Sequence, residues 1–187
     1  VAALFTRRAD RLLRAALALG ALLLVGVPTL VFALVRSPLI TNQFDPIEQP
    51  VAFDHRHHVQ DDGIDCRYCH DTVERSPAAG VPSTSVCMGC HGQVWNQSPQ
   101  LELVRRSYFE NRPIRWNRVH RLPDYAYFNH AIHVKKGVAC ETCHGHVEDM
   151  AAVYQVAPLT MGFCVDCHRA PGIEHVRHLE HCSTCHR

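Results

Sequence analysis

Phe128–His144 reads FNHAIHVKKGVACETCH, and its last five residues, Cys140-Glu141-Thr142-Cys143-His144, decide how the rest of the chain is read. Two cysteines two residues apart can each form a thioether with a vinyl group of one haem. The histidine directly after them can take the iron from the proximal side. The pattern occurs five times: Cys66 and Cys69 with His70, Cys87 and Cys90 with His91, Cys140 and Cys143 with His144, Cys164 and Cys167 with His168, and Cys182 and Cys185 with His186. Together the five motifs use all ten cysteines. None is left for a disulfide, a free nucleophile or an isolated zinc ligand, and neither zinc knuckles nor disulfides require a histidine after every second cysteine. The expected cofactors are five covalently bound haem c, with His70, His91, His144, His168 and His186 as proximal ligands.

Upstream of the third motif, Phe128 is followed by His130 and His133. Phe53, His55 and His58 stand in the same register before the first motif, with 13 residues from phenylalanine to cysteine in the first copy and 12 in the second. Histidines at i and i+3 leave one helical turn in different directions. One can therefore serve the nearby haem and the other a neighbouring haem; the sequence does not choose which does which. His57 falls outside this register and is expected at a propionate or a partner. Pro82-Ser83-Thr84 before Cys87 is matched by Pro158-Leu159-Thr160 before Cys164. The same order thus recurs over residues 53–91 and 128–168, which predicts a duplicated dihaem unit.

The second site has no histidine close upstream, so its sixth ligand must come from elsewhere in the chain. The fifth motif has His175 and His178 upstream but no phenylalanine, and His181 abuts Cys182 too closely to reach over that haem. His120, His146 and Met161 are further candidates. Ten of the fifteen histidines lie outside the motifs, against five distal positions. Bis-histidine ligation at most sites follows, with no open coordination position. That points to electron transfer and away from substrate chemistry at iron.

With 187 residues, 20% of them charged and a net charge of +1, the chain fits one globular domain and at most one membrane segment. About 150 residues for five haems, about 30 per haem, cannot build a large protein-only core. The macrocycles are expected to form much of the interior, and the apoprotein to fold poorly. Nucleic-acid binding is not expected: lysines are few and Arg105-Arg106 is a short basic run. Trp95, Tyr108, Phe109, Trp116, Tyr125 and Tyr127 are expected to pack on porphyrin faces and a partner. Arg105, Arg106, Arg115 and Arg118 are expected to meet propionates or an acidic partner surface.

Residues 1–14 carry Arg7, Arg8, Arg11 and Arg14, and residues 15–35 are free of charge. A helix of that length crosses the hydrocarbon layer, and it is longer than the apolar part of a signal peptide. The expectation is an uncleaved single-pass anchor in the lipid of the cytoplasmic membrane, with the arginines inside and the haem domain on the periplasmic, outer face. Residues 36–52 read as a tether and 53–187 as a pentahaem electron-transfer domain.

IDCRYCH with upstream FDHRHHVQDDG, SPAAGVPSTSVCMGCH, NRPIRWNRVHRLPDYAYFNHAIHVKKGVACETCHG and APLTMGFCVDCHR together resemble the pentahaem cytochrome c subunit of bacterial alternative complex III. The resemblance implies a mostly irregular multihaem cytochrome c with short helices around its haems, in duplicated modules like those of cytochromes c3 and c7. It implies an electron-transfer subunit, not itself catalytic, of a quinol oxidoreductase complex. Its partners would be an integral-membrane quinol-oxidising subunit, an iron-sulfur subunit, and a monohaem cytochrome c, copper protein or terminal oxidase as acceptor. By position, His55, His58, His130 and His133 resemble the family's upstream ligands, while His120 and His178 compete for the fifth distal place. The alternative is a small membrane-anchored multihaem quinol dehydrogenase feeding a periplasmic reductase.

Overall fold

The computed structural model describes residues 6–170, 172 and 178–186. The chain divides into two units, Val1–Asn42 and Gln43–Arg187.

The first unit is built on α1 (Arg7–Val35). Thr6 caps it by accepting the Ala9 N–H at 3.3 Å, and Asp10 pairs with Arg14 at 2.9 Å one turn along. The helix begins eight residues before the charge-free run because this basic first turn is itself a good helix former. It passes through Pro28 and is long and apolar enough to cross a membrane. A short α2 (Pro38–Thr41) follows and stops at Asn42, whose φ of 55° a short polar side chain tolerates.

The second unit consists of short helices joined by irregular chain, with isolated bridges but no strands among the described residues. The attachment motifs each form or end a helical turn: α3 (Cys66–Cys69), α4 (Thr84–His91), α7 (Glu141–His144), α8 (Met161–His168) and α9 (Cys182–Cys185). A helical turn is what the chemistry needs, since it puts cysteines three apart on one face. The two CxxCH helices that follow Pro-x-Thr are both eight residues long and start at equivalent places.

Little side-chain core surrounds them. Among the described residues the buried apolar side chains are Val51, Val73, Leu101, Val104, Ala131, Met150 and Ala157, and none is less than 2% exposed. Val51, Leu101 and Val104 form one cluster, against which Cys87, Met88, Leu103, Ile114 and Trp116 pack. The amphipathic α5 (Glu102–Glu110) supplies Val104 to it, also buries Ser107, and ends at Asn111 with φ 52°.

The phenylalanine-histidine segments of the two repeats superpose in their local geometry but not in helix type. His130–Lys135 is α6, whereas Arg56–Asp61 is a π-helical turn closed by the Asp62 N–H donating to His57 O at 3.0 Å. The first copy carries one more residue between phenylalanine and cysteine, and a wider turn absorbs it.

Residues 43–49, expected to be a plain tether, are bonded to the rest of the second unit. Phe44 N–H donates to Gln155 O at 2.9 Å, Gln43 donates to Val156 O at 2.7 Å, and Gln49 exchanges two bonds with the Asn117 backbone.

Candidate haem-binding sites

In both repeats the phenylalanine sets the two histidines. Phe53 meets the His55 ring edge-on at 4.7 Å and stacks on His58 at 4.4 Å; Phe128 meets His130 edge-on at 4.8 Å and stacks on His133 at 4.4 Å. The second histidine of each turn is also held from behind. His58 Nδ1–H donates to Asp54 O at 2.9 Å and His133 Nδ1–H to Asn129 O at 2.8 Å.

The same device holds most of the motif histidines. His70 Nδ1 bonds Gly80 O at 2.7 Å, His91 Nδ1 bonds Val94 O at 3.1 Å, His168 Nδ1 bonds Leu179 O at 3.3 Å and His186 Nδ1 bonds Tyr125 O at 3.1 Å. His130 Nδ1 bonds Pro77 O at 2.8 Å. A carbonyl can only accept, so each of these rings carries its proton on Nδ1 and presents a bare Nε2. That is the tautomer an iron ligand needs, with the outer hydrogen bond fixing ring orientation.

Three pairs of rings then face each other across similar gaps: His58 and His91 at 6.0 Å, His130 and His144 at 6.3 Å, and His133 and His168 at 6.1 Å. An imidazole nitrogen sits about 2 Å from a bound metal and roughly 1 Å from its own ring centre. Two imidazoles on one metal therefore place their centres about 6 Å apart. The donor sets and their spacing fit iron held between two histidines. His55, the remaining member of the upstream set, lies near His70, and its Nδ1 is buried without a partner.

Burial, then the neighbouring His70 and His58 rings, push the His55 pKa down to about 4. Burial, then His120, His130 and His70, push His144 down to about 4. Both rings are neutral at pH 7, the protonation state in which imidazole ligates.

His120 is placed differently from the sequence expectation of a long-range distal ligand. Its Nε2 lies 3.2 Å from His144 Nδ1, with ring centres 4.3 Å apart. It thus occupies, for His144, the position that backbone carbonyls occupy behind the other motif histidines. His178 lies beside His181 at 5.1 Å, while the ring recorded beside His186 is Tyr125 at 5.9 Å. His175 lies outside the described residues. His57 pairs with Asp61 at 3.5 Å and Asp62 at 3.8 Å, and His146 bonds Glu148 at 2.9 Å, so neither faces a motif histidine. Met161 is 70% exposed at the start of α8, and the ring facing His168 is His133.

The ten cysteines are unpaired with one another. Burial is the first cause that raises the thiols of Cys66, Cys69, Cys143 and Cys164, and neighbouring thiols come next. Those neighbours are Cys140 for Cys66, Cys87 for Cys69, Cys167 for Cys143 and Cys185 for Cys164. Motif 1 therefore lies near motifs 2 and 3, and motif 4 near motifs 3 and 5. The His130–Pro77 bond and a backbone bond from Ala131 N–H to Ser76 O at 3.3 Å tie the first motif's loop directly to α6.

Residues 126–187 match the family of cytochrome c7 and related cytochrome c. Over 98 residues the chain is 36% identical to the menaquinone reductase multihaem cytochrome c subunit of Nitratidesulfovibrio vulgaris Hildenborough, covering 52% of this chain and 46% of that one. The chain thus spans about half the length of this curated relative. Residues 126–187 are thus cytochrome c7-like, and the CxxCH turns with their paired, Nε2-bare histidines fit covalently bound c-type haem.

Proposed function

We propose that this chain relays electrons through five c-type haems as a subunit of a membrane quinol oxidoreductase of the alternative complex III type. The haem iron supplies reversible one-electron chemistry; the chain binds, orients and insulates. The ten cysteines would hold the haems, and His70, His91, His144, His168 and His186 would be the proximal ligands. The three facing imidazole pairs at 6.0–6.3 Å carry the reading, because iron held by such a pair would exchange electrons without binding substrate.

The first histidine of each turn closes its own repeat's first haem, His55 with His70 and His130 with His144. The second reaches the next motif, His58 with His91 and His133 with His168. His178 is the candidate from this chain for the fifth haem. α1 is the anchor, with the haem unit on the outer face beside quinol-oxidising and iron-sulfur subunits and an external acceptor such as a cytochrome c.

The relative's name supports a second reading, in which the same relay carries electrons toward menaquinone. A relay of closed haems conducts either way, so the partners decide. Low-temperature EPR of the oxidised chain tests the shared core of both readings: low-spin signals throughout are expected, and a dominant high-spin signal overturns it. Quinol oxidation against quinone reduction by the complex isolated through this chain separates the two.

A further inference from the structure

Charge is distributed very unevenly over the second unit. Residues 105–121 hold six arginines against one glutamate, a net +5. The rest of residues 43–187 holds eight Lys or Arg against sixteen Asp or Glu, a net −8 before any haem propionate is added. Arg105 is committed internally, donating to Asn96 O at 2.8 Å and Ser98 O at 2.9 Å, and Arg112 lies 3.8 Å from Glu110. Arg106, Arg115 and Arg118 are exposed and have no ion pair among the described residues.

Arg106, Arg112 and Arg115 rim a groove of about 500 Å³ floored by Pro50, Leu103 and Ile114. Phe109, 76% exposed, and Tyr108, 44% exposed, stand on the same helix. Leu103 and Ile114 pack on the same cluster as Cys87, and Ser107 in the groove donates to Thr84 at the start of α4 at 3.4 Å, so the groove adjoins the helix that carries the second attachment motif. That motif is one end of the motif order, with motif 1 as its neighbour.

We propose that this arginine-rimmed groove is the docking surface for an electron-transfer partner with an acidic contact face, which exchanges electrons with the second haem; the proposal rests on the relay reading above. Guanidinium forks suit carboxylates, and aromatic side chains among arginines are what interface centres use. A basic patch on an acidic body orients an acidic partner as it approaches. An anionic lipid surface would answer the charge, but it gives no reason for the patch to adjoin a terminal redox site.

The test uses the full holoprotein in phosphatidylcholine nanodiscs, with a reduced acidic flavodoxin as probe. One electron leaves the reduced flavin and reduces one ferric haem iron. Arg106→Glu with Arg115→Glu is expected to lower the second-order rate at least tenfold at about 50 mM salt, and the difference should vanish above about 0.5 M. Lys135→Glu with Lys136→Glu, the same charge change elsewhere, should cost less than twofold. Equal effects of the two reversals, or none, overturn the proposal. So does slowing of the wild type in discs with about 30% phosphatidylglycerol that the arginine reversal abolishes, because the patch would then face lipid. Dithionite reduction of all samples keeps the two claims apart. Haems that dithionite reduces normally while flavodoxin ignores the arginines sink the docking surface alone; a chain without reducible low-spin haem sinks the relay itself.

Discussion

A histidine in this chain is defined by what stands behind it. Where a backbone carbonyl accepts from Nδ1, as for His58, His70, His91, His130, His133, His168 and His186, the ring is locked with Nε2 forward. The proposed pairing is open to a double substitution. His133→Ala should open the fourth haem and give one high-spin EPR signal. Adding Cys164→Ala and Cys167→Ala, which removes that haem, should abolish the signal. Adding the same change at Cys140 and Cys143 should leave it; the opposite result would reassign His133 to its own motif. His144 is backed by His120 instead of a carbonyl. Outer hydrogen bonds tune the electron density of a ligating imidazole, so His120→Leu should shift the midpoint of one haem, read by spectropotentiometry, while every iron stays low-spin. Appearance of a high-spin haem would make His120 a ligand after all. The candidate histidines could be picked out in the sequence because CxxCH is local and Phe-x-His-x2-His repeats. The partners of His120 and His70 could not, because they lie 24 and 10 residues away and no periodicity marks them.

At the scale of elements, a helical turn is the repeated part and the loops between turns hold it in place. Gly145 directly follows the third motif with φ 69° and ψ −169°, a conformation close to glycine-only. A Cβ there would sit 2.7 Å from Val156 Cγ2. Gly145→Ala should destabilise the holoprotein by about 1–3 kcal/mol, seen as a lower melting temperature with an unchanged haem-to-protein ratio. Equal stability would mean that the Val156 segment yields freely. Leu101, 7% exposed in the Val51–Leu101–Val104 cluster, is the test of that cluster. Leu101→Ala should cost about 2–5 kcal/mol in thermal unfolding followed at the second haem's absorption. The helices at the cysteines and the break at Asn111 follow from local sequence. The π-helical turn at Arg56–Asp61 announced itself only as a one-residue difference in spacing. The docking of residues 43–49 was illegible, because polar residues beside Pro46 read alike whether they hang free or bond to Gln155 and Asn117.

For the molecule as a whole, the repeats explain the order in which the motifs are strung. Equivalent motifs meet: Cys66 of the first lies near Cys140 of the third, and Pro77 of the first repeat accepts from His130 of the second. This is how two copies of one surface associate about a two-fold axis, here within a single chain and broken at its edges by His120 and by the unpartnered His55 Nδ1. The resulting order in space is 2, 1, 3, 4, 5, not the order along the chain. Replacing a distal histidine by methionine raises a haem's potential, so the first electron added goes to that haem. Reduced low-spin iron is diamagnetic and stops broadening its neighbours' EPR signals. In His55→Met the first electron should settle on the first haem, and two of the remaining ferric signals should sharpen, those of the second and third. In His58→Met it should settle on the second haem, an end of the order, and only one signal should sharpen. A relay strung in chain order gives the reverse, one signal for His55→Met and two for His58→Met, so a single stepwise titration of the two variants decides between the orders.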